Sequence, residues 1–130
     1  SQKGLVVGTG NKVEDFGVGF YTKYGDGGVD ISPLADCLKT EVWKMAEYLG
    51  INKDIIDAPP TDGLWEDNRT DQDQLGLSYE QLERAMKAEE SGEIIVDNNL
   101  ISIVEKFRTI RAQNKHKMNM PPVCSMEKFR

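Results

Sequence analysis

One short apolar run, Leu5-Val6-Val7, closed by the turn string Gly8-Thr9-Gly10-Asn11, reads as a single buried strand that delivers a tight turn at its carboxyl end. A lone strand leaves its backbone N–H and C=O groups unpaired, so a chain whose other segments read as helices and loops cannot close a sheet by itself. The expectation is a piece of a larger protein, mostly helical with one short strand, whose partner strands come from outside the segment or from a second copy of it. Ser1-Gln2-Lys3 runs almost directly into that strand without an initiating methionine, which fits the same expectation. Turns at the carboxyl ends of strands are where open sheets flanked by helices place their ligands.

The rest of the chain is punctuated by helix signals. Ser32-Pro33 offers a cap with proline in the first turn, and Leu34, Leu38, Val42, Met45 and Leu49 recur at helical spacing until Gly50, predicting a helix over 32–49. A shorter helical turn is predicted over 53–57, stopped by Ala58-Pro59-Pro60, and the acidic stretch from Thr61 to Gln74 reads as a mobile loop. Ser78-Tyr79-Glu80-Gln81 fits a capping box with Leu77 and Leu82 as its hydrophobic staple, predicting a helix over 79–89. Asn98 or Asn99 then caps a last helix that shows Leu100, Ile103, Val104, Phe107 and Ile110 on one face, and Pro121-Pro122 forbids its continuation. Residues 16–30 contain Gly17, Gly19, Gly25, Gly27 and Gly28 without a helical period, and read as a loop anchored by Phe16, Phe20, Tyr21 and Tyr24.

Charge narrows the partners. With 16 basic against 22 acidic residues the formal charge is −6, which argues against nonspecific binding to nucleic acid or to an anionic membrane. The distribution is uneven: Lys106, Arg108, Arg111, Lys115, Lys117, Lys128 and Arg130 face the single acid Glu127 in the last stretch, a basic tail suited to a small anionic ligand or a partner subunit. No run of about 18 apolar residues could span a bilayer, and a cytoplasmic location is the default expectation. Cys37 and Cys124 are far apart with one histidine in the chain, so reduced thiols are expected rather than a zinc site or a disulfide framework.

Several residues could carry chemistry, each with a plainer structural reading beside it. Thr22-Lys23-Tyr24-Gly25-Asp26-Gly27-Gly28-Val29-Asp30 places a cation and two carboxylates among three glycines, so backbone, ammonium and carboxylate could all approach one ligand; the alternative is a glycine-rich hairpin tip with solvated charges. Thr9 and then Glu14-Asp15 put a hydroxyl and hard oxygen donors just past the strand, as a Mg-nucleotide site needs; the alternative is a turn that caps the next segment. Lys39 sits near the core-facing Leu38 and Val42, Thr61 follows the stiff Pro59-Pro60 turn, and His116-Lys117 lies in the basic tail. Each of these is equally a solvated edge, a turn residue or a surface histidine. Trp43 and Trp65 read as packing residues.

Taken in order, Gly8-Thr9-Gly10-Asn11, Glu14, Thr22 to Asp30, Lys39, Pro60-Thr61-Asp62-Gly63-Leu64, Leu75-Gly76-Leu77-Ser78-Tyr79 and Lys115-His116-Lys117 resemble the NAD synthetase family over most of the chain. The resemblance implies a doubly wound α/β fold in the full protein, of the adenine-nucleotide α-hydrolase-like (Rossmann-like) type, in which residues 1–130 form the carboxy-terminal part of one domain. It implies a Mg²⁺-dependent ligase that adenylylates deamido-NAD with ATP, releases pyrophosphate, and displaces AMP with ammonia. By the same resemblance Thr9, Lys39 and Thr61 contact ATP; Glu14 holds Mg²⁺; Lys23, Asp30, His116 and Lys117 contact deamido-NAD; and a homodimer builds the dinucleotide site between its subunits. No side chain is implied as a catalytic nucleophile.

Two departures from the family pattern matter. The Ser-Gly-Gly-x-Asp-Ser pyrophosphate loop is not in this sequence, so the segment alone is expected to be inactive. Between the carboxylate and the Thr22 string the chain is one residue longer than the common pattern, which leaves Asp15 as an alternative to Glu14. Two other readings stay open at this point: a noncatalytic nucleotide-binding or oligomerisation module, and another ATP-cleaving amidotransferase of the same superfamily.

Overall fold

The computed structural model describes residues 3–92 and 94–127. In chain order it contains a π-helix Lys12–Val18, then α1 Lys39–Tyr48, α2 Lys53–Ile56, α3 Asp71–Leu75, α4 Tyr79–Ser91 and α5 Asn98–Asn114. The core lies where α4, α5 and the π-helix meet. Leu82, Ala85 and Met86 of α4 face Ile103, Val104 and Phe107 of α5, with Val13 and Val18 closing one side. Leu100 and Ile110 flank that stripe half-buried, so the expected face of the last helix is the one that packs.

The best-specified element is α4. Ser78 Oγ accepts from the Gln81 N–H at 3.2 Å while Gln81 Oε1 accepts from the Ser78 N–H at 2.8 Å, and the staple pair Leu77 and Leu82 is buried. Two orphan amides are thereby satisfied and the entry angle of the helix is fixed. The helix runs to Ser91, two residues beyond the expected end, before Gly92 adopts a left-handed conformation. In α5 the cap is Asp97, whose Oδ1 accepts from the Asn99 N–H at 3.0 Å; neither Asn98 nor Asn99 caps it, and both lie in the first turn.

Three further expectations are corrected. The helix predicted over 32–49 begins only at Lys39: residues 33–36 form a turn, because Ile31 and Cys37 give their carbonyls to the N–H groups of Gly8 and Lys12 at 2.7 and 2.9 Å. Those long-range bonds hold the backbone out of the helical path. The segment read as a loop from residue 16 is entered in a π-helix, which starts at an Asn11 side chain accepting from the Val13 and Glu14 N–H groups and ends at Gly19. Glycine is required there, since its φ is +66° and a Cβ would come within 2.7 Å of the Asn114 Cβ. Finally, the acidic stretch is not loop throughout; Thr70 and Asp73 form a reciprocal capping box that starts α3.

The expected strand is reduced to a single parallel bridge between Val7 and Ile31, with no longer strand among the described residues. Val6 O accepts from the Asp30 and Ile31 N–H groups at 2.9 and 3.2 Å. Leu5, Val6 and Val7 remain more than half exposed, because no neighbouring strand covers them. Both cysteines are free, and no described helix is long and apolar enough to cross a membrane.

Candidate functional site

Three segments distant in sequence converge on one polar cleft. The π-helix presents Glu14, the first turn of α1 presents Lys39, and α4 begins with Tyr79, whose ring is fully buried. Lys39 Nζ donates to Glu14 Oε1 at 2.7 Å, with the two side chains 18% and 17% exposed. The Tyr79 hydroxyl lies 2.7 Å from the same Glu14 oxygen and 2.7 Å from Asp71 Oδ2. Its ring also carries the Lys39 ammonium over its face at 5.0 Å and the Trp43 ring at its edge at 5.9 Å. A mostly desolvated ion pair of this kind persists because extra donors satisfy its oxygens.

The placement of Lys39 depends on an unusual cap. Leu38 has no side-chain acceptor for the start of α1, and Glu83 of α4 takes that role: Oε1 accepts from the Thr40 N–H at 3.0 Å and Oε2 from the Thr40 hydroxyl at 2.8 Å. A carboxylate at the amino end of a helix also meets its positive dipole. Glu83 is buried, so α4 holds both the tyrosine and the start of the lysine-bearing helix.

Around this cluster lie two adjoining cavities. The first, of about 210 Å³, is lined by Glu14, Lys39, Thr61 and Asp71, and shares Phe20, Asp26 and Asp62 with the second. That second cavity, of about 190 Å³, adds Tyr21, Leu64 and Lys117. A larger one, about 350 Å³, lies elsewhere over Phe16, Met86 and Phe107, away from the carboxylate and lysine cluster. It lies between the π-helix, α4 and α5, with Lys12, Glu89, Glu90 and Arg111 completing its lining, and it includes none of the expected site residues.

The expected site residues fall into two groups. Glu14, Lys39 and Thr61 line the first cavity and Lys117 the second. Lys117 Nζ donates to the Gly19 carbonyl at 3.0 Å and sits 5.9 Å from the Tyr21 ring centre. Lys23 donates to the backbone carbonyls of His116 and Asn119, which ties the glycine-rich turn to the chain after α5. His116 is exposed with Nδ1 3.1 Å from the Gln113 carbonyl; Asp30 Oδ2 accepts from the Val6 N–H at 2.7 Å; Thr9 is exposed after the bridge. Lys23, His116, Asp30 and Thr9 are outside the linings of both cavities.

Of the two candidate carboxylates, Glu14 is the one that faces the cavity. Asp15 packs against the backbone of Gly10, where burial, then the charges of Glu14 and Asp26, push its carboxyl up to about 6. Burial likewise raises the Asp71 carboxyl, and burial followed by the Glu14 charge raises the Tyr79 phenol far above its usual range. No group of three or more acidic, histidine or cysteine side chains among the described residues is placed to hold a metal ion by itself. The donor set suits Mg²⁺ only in the mode in which one or two carboxylates hold it together with substrate phosphates.

Asp71 and Tyr79 were not singled out as site residues by the sequence. Asp71 lay inside an apparent loop, and Tyr79 was legible only as the first residue of a capped helix. The available signal was a hydroxyl-bearing aromatic at the head of a helix whose other inward residues, Glu83 apart, are apolar.

The fold and cleft define a class first: a small helical unit that gathers one ion-paired lysine, several carboxylates and a threonine hydroxyl around a single polar cavity. The chain belongs to the NAD synthase family, whose model matches residues 1–121. It is 43% identical over 124 residues to the NH(3)-dependent NAD(+) synthetase of Archaeoglobus fulgidus, covering 95% of this chain and 48% of that protein. It is 42% identical to the protein of the same name from Methanosarcina mazei, covering 92% of this chain and 48% of the relative. Among solved structures it is similar to an NMN synthetase from Francisella tularensis, with a TM-score of 0.75 and 29% identity over 92% of this chain and 46% of that one. It is also similar to an NH3-dependent NAD synthetase from Campylobacter jejuni in complex with the nitrate ion, with a TM-score of 0.66 and 25% identity over 93% of this chain and 45% of that one. The chain thus spans about half the length of the curated relatives it matches.

Proposed function

We propose that this chain is the carboxy-terminal part of an ammonia-dependent NAD synthetase, a C–N bond-forming ligase that converts deamido-NAD to NAD with ATP. The observation that carries the reading is the meeting of Glu14, Lys39 and Thr61 in one cavity, with Lys117 in the adjoining one. The names of the relatives support it. In this reading Thr9, Lys39 and Thr61 serve ATP, and Lys23, Asp30, His116 and Lys117 serve deamido-NAD. The whole protein has the Rossmann-like sheet, works as a homodimer and is cytoplasmic.

The chemistry asks for little beyond positioning and charge. The carboxylate of deamido-NAD attacks the α-phosphorus of ATP and releases pyrophosphate; ammonia then attacks the resulting acyl adenylate and expels AMP. Two phosphate-rich ligands repel one another unless cations stand between them. Lys39 offers an ammonium to the phosphates of ATP, Thr61 a hydroxyl proton, and Lys117 and Lys23 positive charge to the second nucleotide. Glu14, with Asp15 as its neighbour, would hold Mg²⁺, which when bound neutralises phosphate charge. No side chain here needs to act as a covalent nucleophile, and alignment supplies the rate.

The test uses the complete protein that contains this segment, given deamido-NAD, ATP, Mg²⁺ and ammonium. NAD formation with equimolar AMP supports the reading; ATP binding without NAD refutes it in favour of a nucleotide-binding module or a different adenylylating ligase. The 130-residue chain assayed alone should form no NAD. A second reading has one specific observation in its favour, the higher TM-score against the NMN synthetase. Nicotinate mononucleotide is therefore assayed beside deamido-NAD, and preference for the mononucleotide would shift the substrate while keeping the reaction.

A further inference from the structure

Asp71 is 6% exposed; its Oδ2 touches the Tyr79 hydroxyl, and its Oδ1 is buried with no hydrogen-bond partner. It also lines the cavity that holds Glu14 and Lys39. A buried polar atom left unpaired costs free energy, so its retention beside a cavity calls for a role. The Tyr79 hydroxyl has one proton but stands 2.7 Å from two carboxyl oxygens, on Glu14 and on Asp71. It can donate to only one of them, and the other contact needs a proton from the carboxyl side. Glu14 is the acceptor, because the Lys39 ammonium beside it stabilises negative charge there. The proton between Tyr79 and Asp71 then belongs to Asp71, which has no cation bonded to it and lies deeper. The order is Asp71 to Tyr79 to Glu14, with Lys39 donating to the same Glu14 oxygen.

We propose that Tyr79 and Asp71 are positioning residues for the ATP side of the cleft: the buried phenol, steadied by Asp71, fixes Glu14 Oε1 beside Lys39 and leaves the second Glu14 oxygen to the ligand. The inference rests on the reading of Glu14 and Lys39 as ATP-side groups. Packing alone does not account for the hydroxyl. The Tyr79 ring is held by Trp43 and by the Lys39 ammonium, contacts that phenylalanine would keep.

The experiment takes the complete protein and titrates a non-hydrolysable ATP analogue with Mg²⁺, alongside KM values for ATP and deamido-NAD and the melting temperature. Tyr79→Phe removes the hydroxyl and keeps the ring. Affinity for the analogue should fall about tenfold to a hundredfold, the range of a lost hydrogen bond to a charged group, with KM for deamido-NAD unmoved. Asp71→Leu should weaken the analogue in the same direction, and Asp71→Asn, whose amide can still donate to the phenol, should recover most of that loss. Unchanged analogue affinity in Tyr79→Phe, even with a lower melting temperature, would overturn the proposal, as would Asp71→Asn behaving like Asp71→Leu. Should Tyr79→Phe fail to fold, the Asp71 pair decides by the same titration. A wild type that binds the analogue but forms no NAD refutes the synthetase function while leaving this test intact; one that does not bind it refutes both.

Discussion

Replacing Glu83 by alanine tests whether α4 controls the start of the lysine-bearing helix. The side chain is buried and gives both oxygens to Thr40, one to the backbone N–H at 3.0 Å and one to the hydroxyl at 2.8 Å. Each is a charge-assisted hydrogen bond worth roughly 1.5–3 kcal/mol in its net effect. Relief from holding a carboxylate in the interior offsets part of this, and water can reach the half-buried Thr40 once the side chain is gone. The net cost of Glu83→Ala should therefore be about 2–4 kcal/mol. Glu83→Gln keeps one acceptor and should cost about half as much. Urea unfolding of the complete protein, followed by circular dichroism, supplies the numbers, and a double-mutant cycle with Thr40→Ala should return a coupling of about 1–2 kcal/mol. Because Lys39 precedes Thr40 in the first turn of α1, ATP-analogue affinity should fall together with stability. A cost of under about 1 kcal/mol for Glu83→Ala at an unchanged denaturant slope would refute the argument, since two charge-assisted bonds cannot be lost so cheaply.

The other predictions probe separate parts of the molecule. Asp15 holds its proton up to about 6 against an ordinary value of 3.8, so the folded state binds that proton more tightly than the unfolded one and stability is lost as pH rises between them. Asp15→Asn should leave melting at about pH 4 little changed and add about 1 kcal/mol at neutral pH, a figure reduced for the half-exposed side chain; parallel melting curves for both proteins across that range would contradict it. Lys117→Ala should weaken deamido-NAD by about 1–3 kcal/mol with little effect on ATP, measured by calorimetry, and equal losses for both ligands would sink that assignment. Phe107, 2% exposed between α5, α4 and the π-helix, should cost about 3–5 kcal/mol when cut to alanine; a urea midpoint close to wild type would show that the core collapses around the gap.

What could be read from the sequence divides along local and long-range causes. The capping box at Ser78, the staple of Leu77 and Leu82, and the buried stripe of α5 depend on residues a few positions apart, and all are present as expected. The start of α1 depends on Glu83, forty-three positions away, and on carbonyls of Ile31 and Cys37 engaged by Gly8 and Lys12. No local pattern announces those partners, so Ser32-Pro33 looked like a cap when it opens a turn. The π-helix escaped for a related reason: Gly17 and Gly19 signal a loop, while the winding is supported by Arg111 of α5, which donates to the Phe16 and Gly17 carbonyls. Of the site, the ordered motifs brought Glu14, Lys39, Thr61 and Lys117 to one cleft, but Asp71 and Tyr79 join it through contacts that only the fold creates.

The two walls of that cleft are held very differently, and the difference sets how binding energy would be spent. Glu14, Lys39, Tyr79 and Asp71 are locked by hydrogen bonds into the core, so a ligand meeting them loses little to ordering. Opposite them, Thr61, Asp62 and Leu64 lie on an exposed segment that touches the core only through contacts such as Gln74 Nε2 donating to Asp62 Oδ2 at 3.1 Å and the Asp71 N–H donating to the Pro60 carbonyl at 2.9 Å. Ordering that wall must be charged against whatever it contributes. Lys117 is an intermediate case: its ammonium is already bonded to the Gly19 carbonyl, so a phosphate must replace a neutral acceptor before it gains anything. The ammonium is charged in both bonds, so the exchange gains only the difference between a carbonyl dipole and an anionic phosphate oxygen as its acceptor. Selectivity for ATP is therefore expected to reside in the rigid wall, where shape and charge are set before the ligand arrives, and selectivity for the second nucleotide in lysines that trade one oxygen for another.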